Sequence, residues 1–197
     1  ACLLGEKVRF DGGHKHDPYL TETLGPYFDY VAVCPEVGCG LPVPRESMHL
    51  VGDPAAPRLV GTKSGRDFTE PMLRFCEQAV EQLRDLNLHG FIFKSKSPSS
   101  GLFRVALYTP EGAPTAHHTA GLFARAFTRA FPSLPCEEDG RLHDPALREN
   151  FIERVFALKR FRDDVAAAPS VAGLQAFHAG AKYLLMAHAP EGQQELG

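Results

Sequence analysis

The sequence lacks the long apolar run that a membrane-spanning helix requires, since none of its hydrophobic stretches approaches about 18 residues. It also has no charged-then-apolar leader of secretory type at its start. The charge balance has little excess of either sign: the net charge is -3, so there is no global signature of nucleic-acid binding and any basic surface must be local. These absences exclude a membrane span and leave the function to local motifs.

Cysteine is scarce and odd in number, with five residues at uneven spacing. This pattern does not resemble the disulfide framework of a small secreted domain. It favours a reducing cytoplasm, in which thiols are kept for a metal or for catalysis. The apolar content of 44% over 197 residues allows at least one sizeable core, so no obligate protein partner is implied.

The segment 34–46 carries the first chemical motif, because Cys34 and Cys39 stand in a loop with three prolines and two glycines. Four intervening residues allow two cysteines to reach one iron–sulfur cluster. With Cys2, the chain offers three thiolates, and a four-iron cluster held by three would keep one iron open as a Lewis acid toward sulfur. A zinc site and buried free cysteines are the open alternatives.

A serine-rich loop over residues 95–101 is the second motif. Its hydroxyls and backbone N–H groups suit an anion or a reacting base, and flanking cations favour a negatively charged partner. An ordinary polar loop is the alternative. The candidate substrate- or phosphate-binding residues are Lys94, Lys96, Ser99, Ser100 and Arg104, with Ser97 as a candidate catalytic group.

Two carboxylates are candidate acids or bases. Asp11 lies in a glycine-rich segment with His14 and His16, and we expect it near Cys2. Glu36 is next but one to Cys34 and is a candidate general acid. Glu36 could equally be a surface carboxylate. The His14 and His16 pair also suits a metal, although two histidines in a glycine-rich loop are usually solvated.

The hydrophobic pattern predicts an α/β fold with a small open parallel (Rossmann-like) sheet and helices on both faces. Predicted strands cover 28–34, 89–94 and 104–108, and predicted helices cover 68–86 and 119–131. Both motif loops follow a predicted strand, and open parallel sheets bind ligands at that edge. Cys76 is expected in the core, on the apolar face of the first helix, and Cys136 is given no role.

An all-helical segment follows residues 132–135. Asp144 is the predicted N-cap of a helix to about residue 167, and a second helix begins near Ser170. We therefore expect a first domain over 1–135 and a helical domain over 143–197, with the natural protein extending beyond both ends. Arginines in the first helix form either a solvated face or a phosphate-binding patch.

Several ordered motifs resemble the TudS domain of thiouracil desulfidases: residues 1–5, 11–14, 34–37, 40–45 and 96–101. The segments 147–156, 177–178 and 184–188 resemble the opening of a YbgA-type helical domain. Fusion of the two is the layout of RudS-type proteins, which remove sulfur from 4-thiouridine in tRNA. The resemblance covers nearly the whole chain.

This resemblance implies a [4Fe-4S] cluster with three cysteine ligands, whose open iron takes the thiocarbonyl sulfur while water replaces it at carbon. Hydrosulfide is released without net redox change. Cys2 and Cys34 fall on ligand positions, and Glu36 and Ser97 fall on polar positions that donate a proton or activate water. TudS domains usually have cysteine where this chain has Ser100, so we expect Cys39 to be the third ligand.

The sequence thus predicts a cytoplasmic, cluster-dependent desulfidase whose partner is tRNA carrying 4-thiouridine. The appended helical domain favours tRNA over a free base, and the thiolated base would have to be exposed or flipped. The alternatives are a non-catalytic nucleic-acid-binding or cluster-carrying module, and a desulfidase of free thiouracil.

Overall fold

The structure, a computed structural model, describes residues 1–188. Residues 189–197, the end of the helical domain expected over 143–197, lie outside the described residues. The chain forms two compact units, one over Ala1–Arg148 and one from Glu149 onward.

The first unit contains six strands and several helices. The strands are β1 (Met48–Asp53), β2 (Ala56–Gly61), β3 (Phe91–Phe93), β4 (Val105–Tyr108), β5 (Pro114–Thr119) and β6 (Cys136–Glu138). The helices wholly within it are α1 (Pro35–Gly38), α2 (Thr69–Arg84) and α3 (Leu122–Ala130), with 3₁₀ turns at Cys2–Leu4 and Arg141–His143 and a π-helical segment at Tyr19–Leu24. The predicted α/β class is confirmed.

The strands form two small sheets rather than one wholly parallel sheet. The larger sheet has the order β2-β1-β4-β5. Strand β1 pairs antiparallel with β2 and parallel with β4, while β4 and β5 form an antiparallel hairpin. Strands β3 and β6 form a separate parallel pair, with Phe91 opposite Cys136. The sheet is therefore mixed, and the parallel pairings are β1 with β4 and β3 with β6.

The predicted strand over 28–34 is wrong. This segment belongs to neither sheet, and Val31 is 48% exposed. A strand needs a neighbour that satisfies its backbone groups, and no strand among residues 1–188 pairs with this segment. The amino group of Ala1 donates instead to the Val33 carbonyl at 3.4 Å.

The predicted strands at 89–94 and 104–108 are confirmed by β3 and β4, and the predicted helices at 68–86 and 119–131 are confirmed by α2 and α3. Aromatic rings fill the space between them. Phe91 lies 4.3 Å from Phe127 and 5.8 Å from Phe123, measured between ring centroids. Cys76 is 1% exposed, which confirms its place in the core.

The serine loop holds the beginning of α3. The N–H of Leu122 donates to the Pro98 carbonyl, and the N–H groups of Phe123 and Ala124 donate to the Ser99 carbonyl. The first turn of a helix leaves such donors without intrahelical partners, so the loop and the helix stabilise each other. A Cβ at Gly121 would lie 2.4 Å from the Ser99 carbonyl oxygen, which explains glycine there.

Gly121→Ala is expected to lower the free energy of unfolding by about 1–3 kcal/mol, because a backbone carbonyl cannot yield as a flexible side chain would. Urea unfolding measures this change. The matched control is Gly180→Ala, where an added Cβ would meet nothing within 4 Å; it is expected to be neutral or stabilising. Equal behaviour of the two variants would contradict this account of the loop.

The C-terminal helices are α4 (Pro145–Phe161), a π-helical continuation over Arg162–Ala166, and α5 (Val171–His188). Asp144 Oδ1 accepts hydrogen bonds from the N–H groups of Ala146 and Leu147, at 2.9 and 3.2 Å, which confirms the predicted N-cap. Among the described residues, no helix combines the length and apolarity that crossing a membrane requires.

Candidate functional site

Cys2 and Cys34 each follow one residue of a contacting pair, since the amino group of Ala1 donates to the Val33 carbonyl at 3.4 Å. Cys2 begins the first 3₁₀ turn, and Cys34 is the N-cap of α1. Burial raises the pKa of the Cys2 thiol, and the charge of Cys34 raises it further. The amino terminus and Lys94 act in the opposite direction. Two half-buried thiols therefore lie within electrostatic reach of each other, and Lys94, the residue that follows β3, lies within reach of Cys2.

Cys39 lies at the other end of α1 and makes different contacts. Its thiol donates to the Glu36 carbonyl at 3.2 Å, and burial raises its pKa. The charge of Cys39 in turn raises the pKa of Cys76 in α2. The short helix lies close against α2, where a Cβ at Gly38 would fall 2.1 Å from the Phe75 ring.

Cys76 is expected to resist alkylation in the folded, cluster-free chain. Burial, with Cys39 as the next cause, raises the pKa of Cys76 to about 12. Its thiolate fraction at pH 8 is then about 10⁻⁴, and only the thiolate reacts. Iodoacetamide treatment at pH 8, followed by peptide mass spectrometry, should leave Cys76 unmodified. The denatured chain, in which all five thiols react, is the control; equal labelling of Cys76 before and after denaturation would refute the prediction.

Glu36 is held by an arginine and a serine. The Nε and Nη2 atoms of Arg45 donate to Glu36 Oε2 at 2.9 and 2.6 Å. The Arg45 side chain is 5% exposed and also donates to the carbonyls of Val8 and Pro42. On the other side, Ser99 Oγ donates to Glu36 Oε1 at 2.9 Å. Glu36 accepts every one of these hydrogen bonds, which is the behaviour of a carboxylate.

The serine hydroxyls continue this chain of hydrogen bonds with a fixed direction. Ser97 Oγ and Ser99 Oγ are 3.0 Å apart. Because the single proton of Ser99 goes to Glu36, Ser97 must be the donor to Ser99. The N–H of Ser100 donates to Ser97 Oγ at 3.1 Å. Ser97 therefore keeps one lone pair that can accept a proton from an incoming molecule.

The other predicted residues lie in several settings. Asp11 is half-exposed, accepts from the Gly13 N–H and pairs with Arg9 at 3.5 Å. Lys94 pairs with Asp139 at 3.1 Å and donates to Ser95. Lys96 and Arg104 are exposed, and both have positive φ angles, of 59° and 48°.

The fold thus brings Glu36, Ser97 and Ser99 together, and it brings Cys2 near Cys34. Within residues 1–188, no group of three or more His, Cys, Asp or Glu side chains is arranged to hold a single metal ion. The soft donors that lie within electrostatic reach of each other are the thiols of Cys2 and Cys34, and thiols suit iron or an iron–sulfur cluster. Sequence reasoning gave no role to Arg45. Its place in the segment 34–46 was the available signal, but the sequence did not reveal its carboxylate partner.

Comparisons with known proteins relate the chain to thiouracil desulfidases. The profile of the 2-thiouracil desulfurase family matches residues 1–139. A solved structure of a [4Fe-4S]-dependent thiouracil desulfidase, TudS, matches with a TM-score of 0.58 and 29% identity, over 76% of this chain and 93% of the TudS chain. No curated protein matches.

Proposed function

Because the chain belongs to the 2-thiouracil desulfurase family, we propose that it is an iron–sulfur-dependent desulfidase that converts 4-thiouridine in tRNA to uridine. The relay from Ser97 through Ser99 to Glu36 is the observation that carries the chemistry. The [4Fe-4S] dependence of the similar TudS structure supports the choice of cofactor.

Cys2 and Cys34 are the two residues whose neighbouring thiols would hold the cluster. A cluster bound there supplies an open iron as a Lewis acid for the thiocarbonyl sulfur. Cys39 as the third ligand stays a prediction. In the structure its thiol donates a hydrogen bond to the backbone carbonyl of Glu36. Ser100 lies in the same loop as the relay and is the other position to test.

The relay residues would remove a proton from the attacking water. Ser97 accepts that proton as its own passes to Ser99, and the proton of Ser99 passes to Glu36. Arg45 holds the carboxylate in place through two hydrogen bonds and balances its charge. Glu36 thus acts as the general base. The general-acid role predicted from the sequence is replaced by this one in the proposal.

The overall reaction balances as a hydrolysis. A C–O bond forms between water and C4 of the pyrimidine, the C–S bond breaks, and sulfur leaves as hydrosulfide. Of the two protons of the attacking water, one goes to Glu36. The second passes from the C4 hydroxyl to the departing sulfur as the C4 carbonyl forms, so the products are the carbonyl, hydrosulfide and one proton. No electron is gained or lost, so no reductant is required.

Exposed cations support a polynucleotide substrate. Lys96 lies in the serine loop and Arg104 shortly after it, both exposed. In the helical unit, Arg154 and Arg160 are exposed on α4. Phosphate groups are the partners that such side chains bind in RNA. A free thiouracil base has no phosphate and would gain nothing from them.

The test compares substrates on chain reconstituted with iron and sulfide without oxygen. We expect hydrosulfide from tRNA carrying 4-thiouridine, with kcat/KM at least about tenfold above that for free 4-thiouracil if phosphate contacts contribute. Unmodified tRNA is the blank. Equal or better turnover of the free base would assign the protein to the free-base class. Absence of hydrosulfide from both substrates would indicate a binding or cluster-carrying module.

A further inference from the structure

An open cleft of about 360 Å³ lies beside the serine loop and contains none of the residues of the relay. It begins two residues after Ser100, and its walls come from the segment that follows the loop, from β5 and from the 3₁₀ turn at Arg141–His143. The lining residues are Leu102, Phe103, Arg104, His118, Thr119 and Arg141.

Basic side chains dominate the polar part of the cleft. Arg104 is exposed, and the structure records no ion pair or hydrogen bond of its side chain with residues 1–188. Its φ of 48° lies in the left-handed region, which non-glycine residues rarely adopt and which is common at binding sites. His118 is also exposed. The cleft therefore presents an unneutralised cation to solvent, with an imidazole beside it.

An aromatic ring and a guanidinium plane lie against each other in the cleft. The Arg141 guanidinium lies 4.8 Å from the Phe103 ring centroid, and its Nε donates to Glu137 at 2.7 Å. Phe103 is 41% exposed although its backbone is fixed, since its N–H and that of Leu102 donate to the buried Glu138 carboxylate. Both flat groups are thus held in position, with part of the ring open to a ligand.

We infer that this cleft binds a nucleotide of the RNA next to the thiolated one. Its base would stack on the pair formed by Phe103 and Arg141, and its phosphate would contact Arg104 and His118. The combination of an exposed ring, a guanidinium plane and a free cation is typical of single-stranded nucleic-acid binding. A simple anion would not use the ring. This inference rests on the proposed function, because it assumes a polynucleotide substrate.

The test is equilibrium binding of a short single-stranded RNA that carries one 4-thiouridine, measured by fluorescence anisotropy on the reconstituted protein. Arg104→Ala and Phe103→Leu are each expected to weaken binding about tenfold. Arg104→Ala should also lower the slope of log K against log salt concentration by about 0.7, as for one lost phosphate contact. Phe103→Tyr keeps the ring and should bind as the parent does. Arg74→Ala removes an exposed arginine on α2 that pairs with Glu70, and is the matched control.

The outcomes separate this inference from the proposed function. Parent-like binding by both cleft variants overturns the inference, even if the parent releases hydrosulfide from RNA. Weaker binding by the variants supports it, even if the RNA releases no hydrosulfide. Slower turnover of 4-thiouridine 5′-monophosphate by Arg104→Ala would show that the cleft takes the phosphate of the thiolated nucleotide itself, which overturns the assignment to a neighbour.

Discussion

Replacing Glu36 with glutamine is expected to slow hydrosulfide release by about 10²- to 10⁴-fold while the iron content stays at the parent level. Glutamine has nearly the same shape, but it cannot take the proton that Ser99 passes on. Its amide is also a poorer partner than a carboxylate for the two Arg45 donors. Single-turnover release of hydrosulfide, with iron measured on the same sample, tests this prediction.

Two further variants make the Glu36 experiment specific. Ser99→Ala leaves the carboxylate and its arginine in place but interrupts the relay, so its rate should also fall, by about 10²-fold. Glu46→Gln removes a carboxylate from the end of the same segment, one that binds Lys63 and Ser64 and not the relay; its rate should not change. If Glu36→Gln lost its iron along with its activity, Glu36 would have a structural role instead. Full activity of Ser99→Ala would refute the relay.

Cys34→Ser is expected to abolish most binding of iron and acid-labile sulfide. A neutral hydroxyl is a far weaker ligand for iron than a thiolate, and Cys34 is one of the two neighbouring thiols of the site. Iron and sulfide are measured per chain after anaerobic reconstitution, with parent values near four of each for a four-iron cluster. Cys136→Ser, in β6 and apart from the motif loops, is the control and should keep the parent content.

Cys39→Ala addresses the third ligand in the same measurement. If Cys39 is the ligand predicted from the sequence, the variant should lose iron as Cys34→Ser does. Full iron content in Cys39→Ala would refute that role and move the third position elsewhere. Ser100→Cys should then raise the iron retained during exposure to air. Parent-like iron in Cys34→Ser would contradict the cluster site as a whole.

The long elements were predictable because their side chains have a clear period. Helix α2 places Met72, Cys76 and Leu83 on one buried face, and the sequence shows this spacing directly. The short strands β3 and β4 were found because both are apolar and precede turn-forming loops. Local patterns thus determined the elements that pack around one apolar face.

Strands β1, β5 and β6 were not predicted, because their sequences show no regular hydrophobic pattern. β5 contains Thr115, His117 and His118, and its residues are mostly exposed, as befits a strand at the edge of a sheet. β6 has three residues and two buried glutamates, which no hydrophobic pattern would place in a sheet. In β1, Gly52 has a φ of 94° and interrupts the regular pattern. Conversely, the apolar segment 28–34 suggested a strand that has no partner among the described residues.

The site was only partly predictable for a related reason. Glu36 and Ser97 stood out in their motifs, but the proton path between them depends on contacts over 60 residues of sequence. Ser99 reaches Glu36 across 63 positions, and Arg45 reaches the Val8 carbonyl across 37. Such pairings follow from the tertiary fold. They carry no signal in a single sequence, and neither does the direction in which the Cys39 thiol points.

Hydrosulfide release by the reconstituted chain tests the central claim most directly. Cluster-loaded and cluster-free protein are each incubated without oxygen with tRNA carrying 4-thiouridine, and hydrosulfide and uridine are quantified. We expect one hydrosulfide and one uridine for each 4-thiouridine consumed, with loaded protein only and no added reductant. Absence of hydrosulfide from the loaded protein, or equal release by the cluster-free protein, would contradict it.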